Sequence, residues 1–148
     1  MENEALKLKG SLIAEITHAD GTKEVRRKDN LILSAGFDFI ADAIGNGSDR
    51  PDAMSYIAVG TGTDDATTSD TELGGEVTRK SATYAHTSGT QVFTFKCTFS
   101  AGEATGALTE AGVCNASSDG TFLDRVTFDV INKASDDTLA MTFQFTLA

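Results

Sequence analysis

The sequence predicts a mainly β protein: an antiparallel β-sandwich of about eight strands with one short α-helix packed on it. Three observations lead there. Apolar and polar residues alternate with period two over several segments, the repeat of a half-buried strand. Clusters of Gly, Asn, Asp and Ser separate these segments at roughly ten-residue spacing, as hairpin turns do. The 148 residues include 9 Phe, no Trp and a single proline, Pro51, and are rich in Thr and Gly, a composition that leans to sheet. No repeat, coiled coil or low-complexity linker interrupts the pattern, so residues 1–148 read as one domain.

The first element is an N-terminal hairpin over residues 6–28. Leu6, Leu8, Leu12, Ala14 and Ile16 alternate with Lys7, Lys9, Ser11, Ile13, Glu15 and Thr17. Ala19-Asp20-Gly21-Thr22 makes the turn, with glycine where positive φ is tolerated. Leu31-Ile32-Leu33 continues as a buried piece. A helix is expected over about residues 35–45. Ser34 is placed to cap it, and Phe37, Ile40, Ala41 and Ile44 form the stripe that should lie on a sheet. Asp38, in the first turn, and Asp42 take the wet side, and Gly45-Asn46-Gly47 ends the helix.

A strand ladder follows over residues 55–148. Tyr56-Ile57-Ala58-Val59 opens it as a buried strand. Residues 77–86 read as one strand, joined through Ser88-Gly89 to residues 91–100, where Phe93, Phe95, Cys97 and Phe99 share a face. Residues 108–115 and 121–130 form a pair around Ser117-Ser118-Asp119-Gly120. The last strand, residues 138–147, sets Leu139, Met141, Phe143, Phe145 and Leu147 on one face and is tied into the sheet up to the C-terminus.

Charge narrows the function. A formal net charge of -10 and a pI near 4.5 oppose nucleic-acid binding, which needs Lys and Arg on the contact face. The basic run Arg26-Arg27-Lys28 reads as a solvated strand end. Met1-Glu2-Asn3-Glu4 is acidic and no apolar run follows, so no secretory leader or membrane span is expected. Cys97 and Cys114 lie in strand patterns and read as small buried hydrophobes, as in a reducing cytoplasm.

Catalytic chemistry finds no foothold. His18 and His86 stand at hairpin ends with no Cys or His at ligand spacing. Gly60-Thr61-Gly62-Thr63 lacks the Gly-Lys-Ser/Thr of a P-loop and the third glycine of a dinucleotide fingerprint, and reads as a turn. The acidic tract after it, Asp64, Asp65, Asp70, Glu72 and Glu76, is the best candidate for a bound ion, since carboxylates clustered on one loop can hold Ca²⁺; its spacing matches no EF-hand, and an exposed acidic loop is the preferred reading. No cofactor is called for, and the chain reads as a non-enzyme. As the longest loop, this tract is the expected place of a surface function.

Several pieces resemble, in order, a module of small structural proteins of tailed bacteriophages, the tail-fibre-like and virion decoration proteins. They are Asn30-Leu31-Ile32-Leu33-Ser34-Ala35-Gly36, then Tyr56-Ile57-Ala58-Val59-Gly60-Thr61-Gly62-Thr63 with Asp70-Thr71-Glu72-Leu73-Gly74-Gly75-Glu76-Val77-Thr78-Arg79. Phe99-Ser100-Ala101-Gly102-Glu103-Ala104-Thr105-Gly106 follows, leading into Leu108-Thr109-Glu110-Ala111-Gly112-Val113. Gly120-Thr121-Phe122-Leu123-Asp124-Arg125 and Ile131-Asn132-Lys133 complete it, so the resemblance spans residues 30–133. It implies a non-enzymatic exterior component of a virion, made in the host cytoplasm, whose partners are other copies of itself and a major capsid or tail protein. The unusually acidic central loop and the cysteines depart from it. Lacking a fibrous repeat or stalk, the chain leans to capsid decoration over a tail or fibre subunit. The contacts expected are the hairpin, through Leu6, Leu8 and Ile13 and by edge pairing, and the loop, through Thr63, Asp64 and Leu73. The rival reading is a module that binds carbohydrate or a host surface, with or without calcium.

Overall fold

The structure is a computed structural model and describes residues 7–148. It is mainly β, with nine antiparallel strands and one helix. In chain order these are β1 (Leu8–Thr17), β2 (Lys23–Ile32), α1 (Ser34–Gly45), β3 (Tyr56–Gly60), β4 (Glu76–Ser81), β5 (Thr83–His86), β6 (Val92–Phe99), β7 (Gly106–Cys114), β8 (Asp124–Lys133) and β9 (Thr138–Leu147). The strands lie in one sheet in the order β4-β3-β7-β8-β2-β1-β9-β6-β5. The two layers of a sandwich are here parts of one sheet curved almost onto itself.

The curvature comes from a break in what the pattern reads as a single strand over residues 77–86. At Ala82 the chain leaves β4, which pairs with β3, and enters β5, which pairs with β6 at the opposite end of the sheet. Alternation does not reveal this corner, because neither half is clearly alternating: β5 is exposed throughout and β4 is half-buried along its middle. Lys80 spans the gap between the two ends: its Nζ donates to the Thr98 carbonyl at 2.8 Å and to Glu103 Oε1 at 2.7 Å.

Period two held in β1 and β9, whereas β3 and much of β7 are buried on both faces. Along β1, Leu12, Ala14 and Ile16 point into the core, and along β9 Leu139, Met141, Phe143 and Phe145 join them from the neighbouring strand. Phe95, Phe99, Leu108, Val113 and Ile131 complete the main core. A smaller cluster of Leu33, Ala58, Leu73, Cys114 and Phe122 lies beside the long loop.

The hairpin differs from expectation at its edge. β1 is enclosed between β2 and β9, so it has no edge to offer a neighbour. The open edge belongs to β2, which meets β8 only at Leu31↔Arg125 and Ile32↔Asp124. Beyond that seam β2 is mostly charged, a composition that discourages pairing with other chains.

The helix differs more. Its N-cap is Leu33, with no side-chain cap bond, and Ser34 is already helical, its N–H taken by the Thr68 carbonyl at 2.8 Å. No acidic residue lies in the first turn, so Asp38 is too far along to meet the dipole there. The face is also rotated. Phe39 and Ile40 pack on the core, while Phe37, Ala41 and Ile44 are exposed. Gly36, the only buried helical residue, explains the rotation: its Cα sits against the Leu123 carbonyl, where a Cβ would collide.

Candidate functional site

The long loop between β3 and β4 hangs on one buried carboxylate. β3 and β7 set Gly60 opposite Glu110, and each strand breaks register here: β3 against β4 at Val59/Gly60, and β7 against β8 between Leu108 and Glu110. Bulges of this kind re-aim a side chain. Glu110, fully buried, turns under the loop and accepts from the backbone N–H groups of Gly62 (2.6 Å), Gly74 (2.7 Å) and Gly75 (2.7 Å). The glycine-rich segment is thus an anion cradle, and its anion is the protein's own. Its glycines are a packing requirement, since a Cβ on Gly60 or Gly62 would run into the Glu110 carboxylate.

Arg125, from the β8 end of the seam, balances the charge. Its Nε donates to Glu110 Oε1 at 3.0 Å. Its Nη1 reaches Asp70 Oδ2 at 3.0 Å and its Nη2 the Asp64 carbonyl at 2.9 Å. Asp70 also accepts from the Thr67 N–H and hydroxyl, each at 2.9 Å. Burial raises the Asp70 pKa, but the bonds from Thr67 and Arg125 outweigh it and hold the carboxyl below its ordinary value. Two buried charges thereby pin both ends and the middle of an exposed loop.

This arrangement redistributes the residues singled out from the sequence. Asp70 is an ion-pair partner of Arg125 rather than a free carboxylate. Asp64, Asp65 and Glu72 are exposed, and Asp64 contributes only its carbonyl to the clamp. Among the described residues no three His, Cys, Asp or Glu side chains gather as a metal would require. Thr63 stays on the surface, whereas Leu73, expected as a contact, is buried in the smaller core cluster and presents no side chain to a partner. Ile13 lies on the outer face of β1 and Leu8 is half-buried. Leu6 lies outside the described residues.

Glu110 and Arg125 escaped the reading of the sequence. A signal existed: Glu110 follows Leu108 by two and so falls on the buried face of its strand, and Asp124-Arg125 interrupts the apolar run around Phe122, Leu123 and Val126.

A second feature lies at the other side of the helix. An apolar cavity of about 760 Å3 opens between α1 and the sheet, lined by Leu8, Ile40, Ile44, Tyr84, Phe93 and Leu147 among others, with Arg50 the one charged lining residue among the described residues. Burial pushes the Cys97 thiol up to about 12 and the Cys114 thiol up to about 11, which disfavours the thiolate, and both cysteines are free.

Compared with known proteins, the chain matches no family model, no curated protein and no solved structure. No helix among the described residues is long and apolar enough to cross a membrane.

Proposed function

We propose that this chain is a non-enzymatic structural protein of a tailed-bacteriophage virion, an exterior accessory component that acts by multi-copy assembly. Capsid decoration is favoured over a tail or fibre role, for want of any fibrous repeat. The observation that carries the reading is the Glu110–Arg125 clamp: two buried charges are devoted to holding an exposed loop in one shape. A buried ion pair is a costly way to gain stability, and its best-attested use is to fix a unique arrangement. A loop held ready in its bound shape loses little entropy when it docks. The docking elements are then the exposed loop residues Thr63, Asp64, Asp65 and Glu72, which suit a partner surface that is basic or rich in donors.

Purified chain is mixed with capsids, and separately with tails, assembled without it from the same phage, and imaged by electron microscopy. Symmetric saturation of the capsid lattice supports decoration. Binding to tails alone moves the reading to a tail component. Binding to neither sinks the virion role.

A further inference from the structure

Past Asn30 the chain changes partners. The pairing of β2 with β1 ends at Gly10↔Asn30, and Leu31 and Ile32 pair instead with Arg125 and Asp124 of β8. The next bonds continue this junction: the Leu33 N–H donates to the Leu123 carbonyl at 3.1 Å, and the Ser34 N–H to the Thr68 carbonyl of the long loop at 2.8 Å. Gly36 then seats α1 on that same Leu123 carbonyl. The end of β2, the start of the helix and the middle of the loop are thus gathered at Leu123, Asp124 and Arg125.

Asp124, at the centre of this contact, is fully buried and joins three strands. It lies on β8, its Oδ1 accepts from the Val113 N–H of β7 at 2.9 Å, and its Oδ2 accepts from the Asn30 amide of β2. Asn30 Oδ1 is itself buried without a partner. No cation answers Asp124 among the described residues. Arg125, its neighbour in the chain, is turned to Glu110 and Asp70. From β7 the titratable neighbour is the buried Cys114 thiol, and from β2 it is Lys28, exposed and on the same strand face as Asn30. β1 and α1 meet the seam with glycines, Gly10 against Asn30 and Gly36 against Leu123, and their charges nearby, Lys9 and Asp38, are exposed.

We propose that this seam is a proton-operated latch: with Asp124 protonated, β8 holds the β2–α1 junction shut, and with Asp124 ionised the junction lifts, freeing α1 and the loop at Thr68 while the rest of the sheet stays folded. A neutral carboxyl fits between Val113 and Asn30, whereas a buried carboxylate with no cation gains by reaching water. The way to water is short, because Asn30 is only part-buried and β2 leaves β8 beyond the seam. Lifting the junction also widens access to the cavity beneath α1, which Leu123 and Ile40 help to line. Burial raises the Asp124 pKa to about 7 from 3.8, so opening releases a proton between those values. The open form should therefore gain up to about tenfold per pH unit until roughly pH 7, and then level off. The latch belongs to the folded chain and does not rest on the virion reading.

The test follows amide hydrogen exchange of the full chain by NMR from about pH 5 to 8.5, corrected for the intrinsic rate. The Leu33 and Ser34 amides should share one protection factor, at least about tenfold below those of Leu12 in β1 and Phe143 in β9. It should fall with pH below about 7 and no further above. Asp124→Asn, neutral at every pH, should hold it constant. The Asp124 carboxyl carbon of wild type, read in the same samples, should titrate over the same range, which decides the matter even where the variant fails to fold. Protection at Leu33 and Ser34 equal to that of the core means that the seam opens only with the whole molecule, and overturns the latch. Protection that ignores pH, a slope that survives in Asp124→Asn, or a carboxyl that titrates near the ordinary 3.8 overturns it equally.

Discussion

Glu110 and Arg125 show how much a single buried pair governs. Glu110→Gln keeps the shape of the side chain but leaves Asp70, at the edge of the clamp, as the one carboxylate paired with the buried guanidinium, so a loss of up to about 3–5 kcal/mol is expected by urea denaturation. The same variant should open residues 61–75 to limited proteolysis. Asp124 is a different case, buried at the β2–β8 seam with no cation beside it. It accepts from the Val113 N–H at 2.9 Å and from the Asn30 amide, and Asn30 Oδ1 is itself buried without a partner. Burial pushes its carboxyl up to about 7 from an ordinary 3.8. The folded protein therefore holds that proton more tightly than the unfolded chain. The contribution is full below the unfolded value and is lost as pH rises through about 7, at most roughly 4 kcal/mol. His18 acts in the same direction: its bonds to Glu24 and Asp137 raise its pKa, so its contribution is present below 6.5 and fades as pH rises through the folded value. Against both, Asp20, Glu24, Asp70, Glu103 and Asp137 are held below their ordinary values and lose stability in acid. A stability maximum on the mildly acid side of neutrality should follow. Thermal melts of wild type and Asp124→Asn from pH 4 to 9 check it; an unaltered slope between about 4 and 7 in the variant would show that Asp124 is not its source.

At the scale of elements, a glycine decides where the helix sits. Gly36 anchors α1 on the Leu123 carbonyl. Gly→Ala inside an exposed helix ordinarily stabilises by up to ~1 kcal/mol. Here Gly36→Ala should destabilise instead, on the order of 1–3 kcal/mol, because the obstacle is backbone and cannot swing aside. Gly45→Ala, at a position with open space around it, serves as the control; equal effects from the two would contradict the packing account. The helix itself was legible as an element, from its apolar spacing and the Gly45-Asn46-Gly47 stop. Its orientation was not. Apolar residues line two faces, and choosing the inner one needed the position of Leu123, which is remote in sequence. Likewise the strand over residues 77–86 was legible as extended chain, yet its division at Ala82 depends on β3 and β6 claiming its halves.

For the whole molecule, the net charge of -10 makes copies of the chain repel at long range. On the multi-copy reading proposed above, raising salt from about 0.05 to 0.5 M shortens the screening length and should tighten association of the copies several-fold. Salt-induced dissociation, seen by light scattering, would mean that ion pairs hold the copies together.

By itself the sequence determined the class of fold, most strand positions and the turns. These are local matters: period two, and glycine at positive φ as at Gly21 and Gly89. Only the tertiary structure decided the order of strands, the closure of the sheet at Lys80, the face that α1 buries and the Glu110–Arg125 clamp under the loop. Each joins residues far apart along the chain, and local pattern carries no information about which distant partner a buried charge or an apolar stripe will meet.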